Sequence, residues 1–418
     1  MRYCKLFELC TDVIDCPHTT PEWKDRGIRV VRNFNLKNGN IDFSDGYYVD
    51  EKTYKERTKR AIPEENDIII SREAPMGVVG IVPKGLKCCL GQRLVLLKVD
   101  KKKCNPHYLL FILSSNFVQT QFKRADATGS IVSNLCIPDL KDIIIPIIDD
   151  NQDQIARLLR NINNKMLSNK KINETLQQQA HDIYMHLFFR KATNGKIADV
   201  IIENGKSTIQ VGEAKSTNGD YPFFTSGEAI LEWKKPLING RNCFLNTGGN
   251  ADVKFYVGDA AYSTDTWCIS AKNKLSDYLY LLLNSIKVEL NQKFFQGTGL
   301  KHLQKELLKD RPIYIPNTEE IKSFNKIICP MFNMISEKTR ENQELTSLRD
   351  WLLPMLMNGQ ATVVEEQKPV LHVCENGTKN EQDHRFALWL QNQGLAARGD
   401  IDRQTLREIF DAMDDDDK

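Results

Sequence analysis

Tyr108-Leu109-Leu110-Phe111-Ile112-Leu113-Ser114-Ser115 and Tyr278-Leu279-Tyr280-Leu281-Leu282-Leu283-Asn284-Ser285 are one short apolar helix written twice, 170 residues apart. The same offset joins Gly129 to Gly299, and Ile145-Pro146 to Ile315-Pro316. Three landmarks at one spacing mark an internal duplication, which takes precedence over local propensity in a fold assignment. After each Ile-Pro landmark comes a heptad pattern. In the first, Ile155, Ile162, Asn169, Leu176 and Ile183 recur every seven residues, with Leu158 and Ile172 at the +3 position. In the second, Ile321, Ile328, Ile335 and Asn342 recur likewise, with Phe324, Met331, Leu345 and Leu352 at +3. Such a/d seams belong to long helices that pair. The stretch 152–190 has no Pro or Gly and predicts a rod of about 55 Å. Pro330 and Pro354 predict a kink or broken ends in the second helix. Asn169 and Asn342 occupy a positions, either as buried register-setting residues or at the seam's wet edge.

The segments before each helix read as mixed α/β. Ile28–Arg32, Asp67–Ser71 and Leu94–Val99 predict strands in the first, and Tyr221–Thr225, Asn242–Asn246 and Thr266–Ile269 in the second. Asn38-Gly39-Asn40, Ser44-Asp45-Gly46 and Thr247-Gly248-Gly249-Asn250 supply turns. The order is globule, long helix, globule, long helix, over 1–150, 151–190, 191–317 and 318–359. A linker at 360–382 and two short helices at 383–413 follow. If the long helices pack antiparallel, a pseudo-two-fold axis relates the globules. Dimeric DNA readers match that symmetry to two half-sites.

Composition sets the bounds. The 418 residues are 41% apolar and 27% charged, enough for two or three packed domains. No apolar run is long enough for a membrane helix and no secretion signal opens the chain, so a cytoplasmic location with no membrane partner is expected. Eleven cysteines without a C-x-x-C pair argue against both a disulfide framework and a zinc ribbon. Net charge is +2, but residues 365–418 hold 7 basic and 13 acidic side chains, which leaves 50 basic and 42 acidic in 1–364. A basic body permits nucleic-acid binding.

Several motifs admit enzyme readings. Asn105-Pro106-His107-Tyr108 is one residue from the N-P-P-Y/F loop of amino-methyltransferases, which grips a flipped base. Its repeat partner Leu275-Ser276-Asp277-Tyr278 lacks Asn-Pro, so a helix start is the shared feature, and no Gly-rich turn follows a strand to hold S-adenosylmethionine. Asp199 with Glu213-Ala214-Lys215 fits the D…E-x-K skeleton of Mg²⁺ nucleases, a pattern common by chance. Cys4, Cys10, Cys16 and His18 are possible soft ligands at spacings unlike a zinc knuckle, and core cysteines are the better reading. No P-loop is present.

The arrangement resembles the specificity subunits of type I restriction-modification systems. Asp15-Cys16-Pro17-His18-Thr19-Thr20-Pro21, then Gly27–Arg32 and Asn38-Gly39-Asn40-Ile41, is similar to the opening of a target recognition domain. Thr298-Gly299-Leu300-Lys301-His302-Leu303 with Ile315-Pro316 is similar to the motif that closes one. Gly129 to Pro146 is a weaker copy, with Ser130-Ile131-Val132 in place of Leu300-Lys301-His302. The resemblance covers residues 1 to about 359 and leaves out the acidic tail, whose closing Asp414-Asp415-Asp416-Asp417-Lys418 resembles a protease-cleavable tag.

The resemblance implies an α+β fold: two pseudo-two-fold-related target recognition domains separated by two long antiparallel coiled-coil helices. It also implies a non-catalytic role, in which each domain reads one part of an asymmetric two-part double-stranded DNA target. Two modification (methyltransferase) subunits and a restriction (motor-nuclease) subunit would dock on the chain. S-adenosylmethionine, ATP and Mg²⁺ would sit on those partners, with no cofactor or metal on this one. The expected DNA contacts are Arg32, Asn33, Lys37, Arg72, Lys123, Arg124 and Ser130 in the first globule. In the second they are Thr225, Ser226, Lys234, Lys235, Arg241, Lys293, Lys301 and His302. The competing reading is a coiled-coil scaffold whose globules bind protein. Steep salt dependence of DNA binding separates the two.

Overall fold

A computed structural model describes residues 2–43, 46–73, 75–126, 134–217, 219–357 and 359–363. The proposed linker beyond 363, the tail helices at 383–413, Ser44-Asp45, Gly129 and Ser130 lie outside the described residues.

The duplication is reproduced strand by strand. Each globule has a four-stranded antiparallel sheet in one order. In the first it runs Cys10–Asp15, Leu94–Val99, Ile68–Ser71, Val79–Ile81; in the second it runs Ile201–Glu203, Thr266–Ala271, Arg241–Asn246, Val253–Val257. Each also has a three-stranded sheet with one antiparallel and one parallel pair. Ile28–Val31 lies between Tyr47–Val49 and Cys88–Leu90, and Tyr221–Phe224 lies between Ile230–Trp233 and Ala261–Tyr262. A two-stranded clasp closes each globule, Arg2–Lys5 with Ile144–Ile147 and Gly195–Lys196 with Pro312–Ile313.

The repeated helices fill the same place. Pro106–Ser114 starts where the Asn105 side chain accepts from the N–H groups of His107 and Tyr108, a cap followed by Pro at the first helical position. All six residues Tyr108–Leu113 are buried, as are Tyr278–Leu283 in Ser276–Ser285. Each buried side chain of this size contributes about 1.5–3 kcal/mol of transfer free energy. Both tyrosine hydroxyls tie the helix to the segment leading into the long helix. Tyr108 accepts from the Ile148 N–H at 3.2 Å, and Tyr278 donates to the Tyr314 carbonyl.

The long helices are Gln152–Leu187, 36 residues, and Thr318–Met357, 40 residues. Cross pairs Met166–Thr346, Asn169–Asn342, Asn173–Thr339 and Lys191–Glu320 run in opposite directions, so the helices are antiparallel. Their ends belong to the globule cores. Ile155, Ala156 and Leu159 join Leu353, Leu356 and Met357 in the first core. Ala180, Tyr184 and Phe188 join Ile321, Phe324 and Ile328 in the second. The separation of the globules is therefore set by packing at both ends.

One expectation needs correction: not every residue of the seam is buried between the helices. Ile155, Ile162, Ile321, Ile328 and Ile335 are buried, but the middle of the pair is polar. There Asn169, fully buried, meets Asn342 and Glu341, and Leu345 is half-buried. Leu176 and Ile183 are half-buried because they pack against the second globule's core. The second helix is unbroken at Pro330 and Pro354, although Pro330 deprives the carbonyl at 326 of its helical donor. No helix among the described residues is long and apolar enough to cross a membrane.

Candidate nucleic-acid interface

Backbone bonds fix which residues of the two globules correspond. The Arg72 N–H donates to the Arg93 carbonyl at 2.8 Å, as the Thr247 N–H does to the Asp265 carbonyl at 3.0 Å. The Leu135 N–H donates to the Arg72 carbonyl, as the Leu303 N–H does to that of Thr247. The Gly91 N–H donates to the Val31 carbonyl, as the Ser263 N–H does to that of Phe224. So Arg72 corresponds to Thr247, Arg93 to Asp265, and Arg32 to Thr225. These positions form one rim of each globule, at the same end of the central sheet. The frame is the same, but the side chains differ in charge and size.

In the first globule the rim is rich in arginine and aromatic rings. The Arg32 guanidinium lies 4.6 Å from the Tyr47 ring centroid, 4.9 Å from Phe34 and 5.5 Å from Trp23. Stacking of this kind holds a planar cation in place without a carboxylate. Arg32 and Asn33 line a cleft of about 440 Å³ with Trp23, Tyr47, Gln92 and Arg93. Arg93 takes a left-handed φ of 67°, which turns its side chain outward to pair with Glu73 at 3.1 Å. Arg57 supports the neighbouring segment from below. It is buried and donates to the carbonyls of Pro17, Thr19 and Leu90, with its pKa lowered by burial.

In the second globule the rim is built from two loops. The turn Thr247-Gly248-Gly249-Asn250 needs a φ of 84° at Gly249, which glycine supplies without strain. It is laced to the closing loop, because the Gly249 N–H donates to the Lys301 carbonyl at 2.9 Å and Gly248 bridges His302. His302 is exposed, Lys301 is half-buried, and Leu300 is 65% exposed. The Lys305 ammonium sits 4.9 Å from the Trp267 ring centroid nearby.

Three expected contacts are instead used up by the fold. Arg72 is buried and donates to the Leu135 carbonyl, to Asp15 at 2.9 Å and to Asn134. Arg241 makes a two-pronged ion pair with Asp277, which is 1% exposed, and reaches Asn333 on the second long helix at 2.6 Å. Thr225 is buried and bonds the carbonyls of Gly227 and Ala229, while Lys254 holds the same turn. A sequence shows that an arginine is present but not that a buried carboxylate already claims it.

The other expected residues are dispersed. Lys37 sits on a hairpin beside the first long helix and pairs with Asp42 at 3.2 Å. Lys123 and Arg124 are exposed in the last turn of the helix Asn116–Asp126. Ser226 is half-buried, and Lys234 and Lys235 are exposed just after the strand Ile230–Trp233. Lys293 is exposed and pairs with Glu289. Sequence reading missed Arg93, Trp23, Tyr47, Phe34 and Lys305. Aligning the repeats through their strands, rather than through Gly and Pro landmarks, would have placed Arg93 and Arg32 on the rim.

The motifs with enzyme readings have structural uses. Asn105 is the helix cap already described. Asp199 accepts from the Lys196 N–H at 2.7 Å, and Glu213 and Lys215 lie exposed on a short helix. Cys4, Cys10 and Cys16 are buried, with the Cys10 thiol pushed up to about 12 by desolvation. His18 lies exposed, 2.9 Å from Asp15. Among the described residues no group of three or more His, Cys, Asp or Glu is placed to hold a metal.

Comparison with known proteins finds one family domain twice in the chain. The family described as type I restriction modification DNA specificity domain matches twice, over residues 17–178 and 190–347. The chain is 22% identical over 365 residues to the type I restriction enzyme MjaIX specificity subunit of Methanocaldococcus jannaschii, covering 76% of this chain and 82% of that one. It also shares a fold with the S subunit of a type I restriction-modification system from M. genitalium. There the TM-score is 0.54 at 16% identity, with 84% of this chain and 94% of that chain covered.

Proposed function

The chain belongs to the family of type I restriction-modification DNA specificity subunits, and from that premise we propose how it selects its target. Each globule reads one part of a two-part, asymmetric double-stranded DNA sequence with its rim. The observation that carries this reading is the contrast between a shared frame and unlike rims. The exposed Arg93 in one globule stands where the exposed Asp265 stands in the other, and Arg32, stacked on aromatic rings, stands where the buried Thr225 stands. Two rims of the same chemistry would suit a palindrome, and these suit two different half-sites. The antiparallel helices, packed into both cores, hold the half-sites at one separation.

On this account the chain is a non-catalytic subunit. Two modification subunits and a restriction subunit assemble on it, and they carry S-adenosylmethionine, ATP and Mg²⁺. The assembly works in the cytoplasm. Arg32 and Asn33 are the leading candidates for base contacts in the first globule, and His302 with Lys301 in the second. Lys123, Arg124, Lys234, Lys235 and Lys293 suit phosphate contacts, which position without reading sequence. The test is adenine methylation of a DNA library by the modification subunit and S-adenosylmethionine, with and without this chain. Methylation at one two-part site, only when the chain is present, is expected. Identical patterns in the two conditions would refute the reading.

A further inference from the structure

Arg93 and Asp265 carry opposite charges on one backbone frame. Each is the residue just before the same strand, Leu94–Val99 in the first globule and Thr266–Ala271 in the second. Each carbonyl accepts from an equivalent N–H, that of Arg72 at 2.8 Å and that of Thr247 at 3.0 Å. The Thr247 hydroxyl adds a second bond to the Asp265 carbonyl at 3.0 Å. The main chain is therefore pinned at both positions, while both residues are exposed.

Arg93 differs from the arginines that the fold uses up. Its side chain keeps 53% of its surface exposed, against 11% for Arg72 and 25% for Arg241. Glu73 meets it at Nε, 3.1 Å away, and an ion pair this exposed is worth too little to hold the guanidinium against a better acceptor. Arg93 also borders the cleft that Arg32 and Gln92 line. In the major groove the matching acceptors are O6 and N7 of guanine, which a planar fork bonds together.

Asp265 poses the opposite case. Among the described residues its carboxylate has no hydrogen-bond or ion-pair partner. A free carboxylate on a surface that meets phosphates weakens binding to every sequence unless a base edge offers it a donor. The major groove offers two, N4 of cytosine and N6 of adenine. Adenine sets its N7 acceptor beside N6, which repels a carboxylate and suits an amide. Cytosine presents the donor alone. Guanine in that place would turn O6 and N7 toward the carboxylate and be rejected.

We propose that Arg93 and Asp265 are specificity-determining residues at equivalent positions, Arg93 selecting a guanine in one half-site and Asp265 a cytosine in the other. This rests on the reading above, in which the rims face DNA.

The experiment maps adenine methylation of a randomised DNA library by the modification subunit of the same system, with the full chain as wild type or variant. R93Q should lose the guanine preference at one position of one half-site, by roughly tenfold or more, and leave the other half unchanged. R93K keeps the charge without the fork and should lose the same preference. D265N should turn one position of the other half-site from cytosine to adenine, because an amide matches N6 and N7 together. D265A should lose the cytosine preference without gaining adenine. Thermal midpoints check that each variant is folded. An unchanged sequence pattern in the folded variants would overturn the proposal. So would R93K matching the wild type while R93Q weakens every sequence equally, or D265N tightening every sequence equally, since these mark surface charges that select nothing. A wild-type chain that leaves the methylation pattern as it is without the chain would overturn the underlying functional reading, and this proposal with it.

Discussion

The Asn169 side-chain amide donates to Oδ1 of Asn342 at 2.9 Å, in the polar middle of two antiparallel helices. The same nitrogen lies 3.0 Å from Glu341, and the buried Asn169 Oδ1 has no partner. A buried polar pair of this kind stabilises little on balance but is costly to half-remove. Asn169→Ala should lower stability by about 1–3 kcal/mol. Asn169→Leu with Asn342→Leu should cost less than that single change, because it leaves no orphaned group. Denaturant midpoints of the three proteins check this, and a double variant weaker than the single one would contradict it.

Arg241 and Arg72 should matter for stability and not for sequence choice. Arg241→Ala leaves the buried Asp277 carboxylate uncompensated, an expected loss of about 3–5 kcal/mol. Arg72→Ala removes bonds to Asp15, Asn134 and Leu135, with an expected loss of about 1–3 kcal/mol. Methylation by the folded fraction of either variant should map to the wild-type sequence. A relaxed base position with unchanged unfolding would return these arginines to the DNA interface.

The architecture was legible because duplication and heptads are periodic, and periodicity survives in sequence. The Tyr108 and Tyr278 helices and the two long helices follow from it, while the six expected strands were legible as local apolar runs between turn signals. The rim was harder to read. Which arginine is free depends on contacts between distant segments, such as Arg72 with Asp15 or Arg241 with Asp277, and nothing local marks them. Arg93 was missed because nothing local marks the residue before the strand Leu94–Val99 as part of the rim. The polar middle of the helix pair was half legible. Asn169 and Asn342 stood out at a positions, but their mutual bond required the register.

His107 gives a pH test of the first globule. Burial, and then the Arg160 charge, lowers its pKa from 6.5 to about 4, so it is neutral in the folded chain near pH 7. The unfolded chain takes up the proton first as pH falls. The stabilising contribution is therefore full above about pH 6.5 and is lost as pH drops toward 4. His107→Gln should flatten the stability curve in that window. An unchanged slope between pH 6.5 and 4 would contradict the assignment.

Arg32 is the sharpest specificity prediction. Arg32→Lys keeps the charge but loses the planar fork and the stacking on Trp23, Phe34 and Tyr47. A base-reading role predicts relaxation at one position of one half-site, worth about 1–3 kcal/mol of discrimination. A phosphate-contacting role predicts at most a small weakening, uniform across sequences, with the salt dependence unchanged because the charge is kept. Methylation profiling of the variant across a randomised target separates the two.

The central claim is that two unlike globules on one rigid helix pair read two parts of one target. Its most direct test is to exchange residues 1–150 for those of a relative with a different target, then map adenine methylation by the modification subunit. One half of the site should change, while the other half and the gap between them stay fixed. A change in both halves, or in neither, would contradict the account.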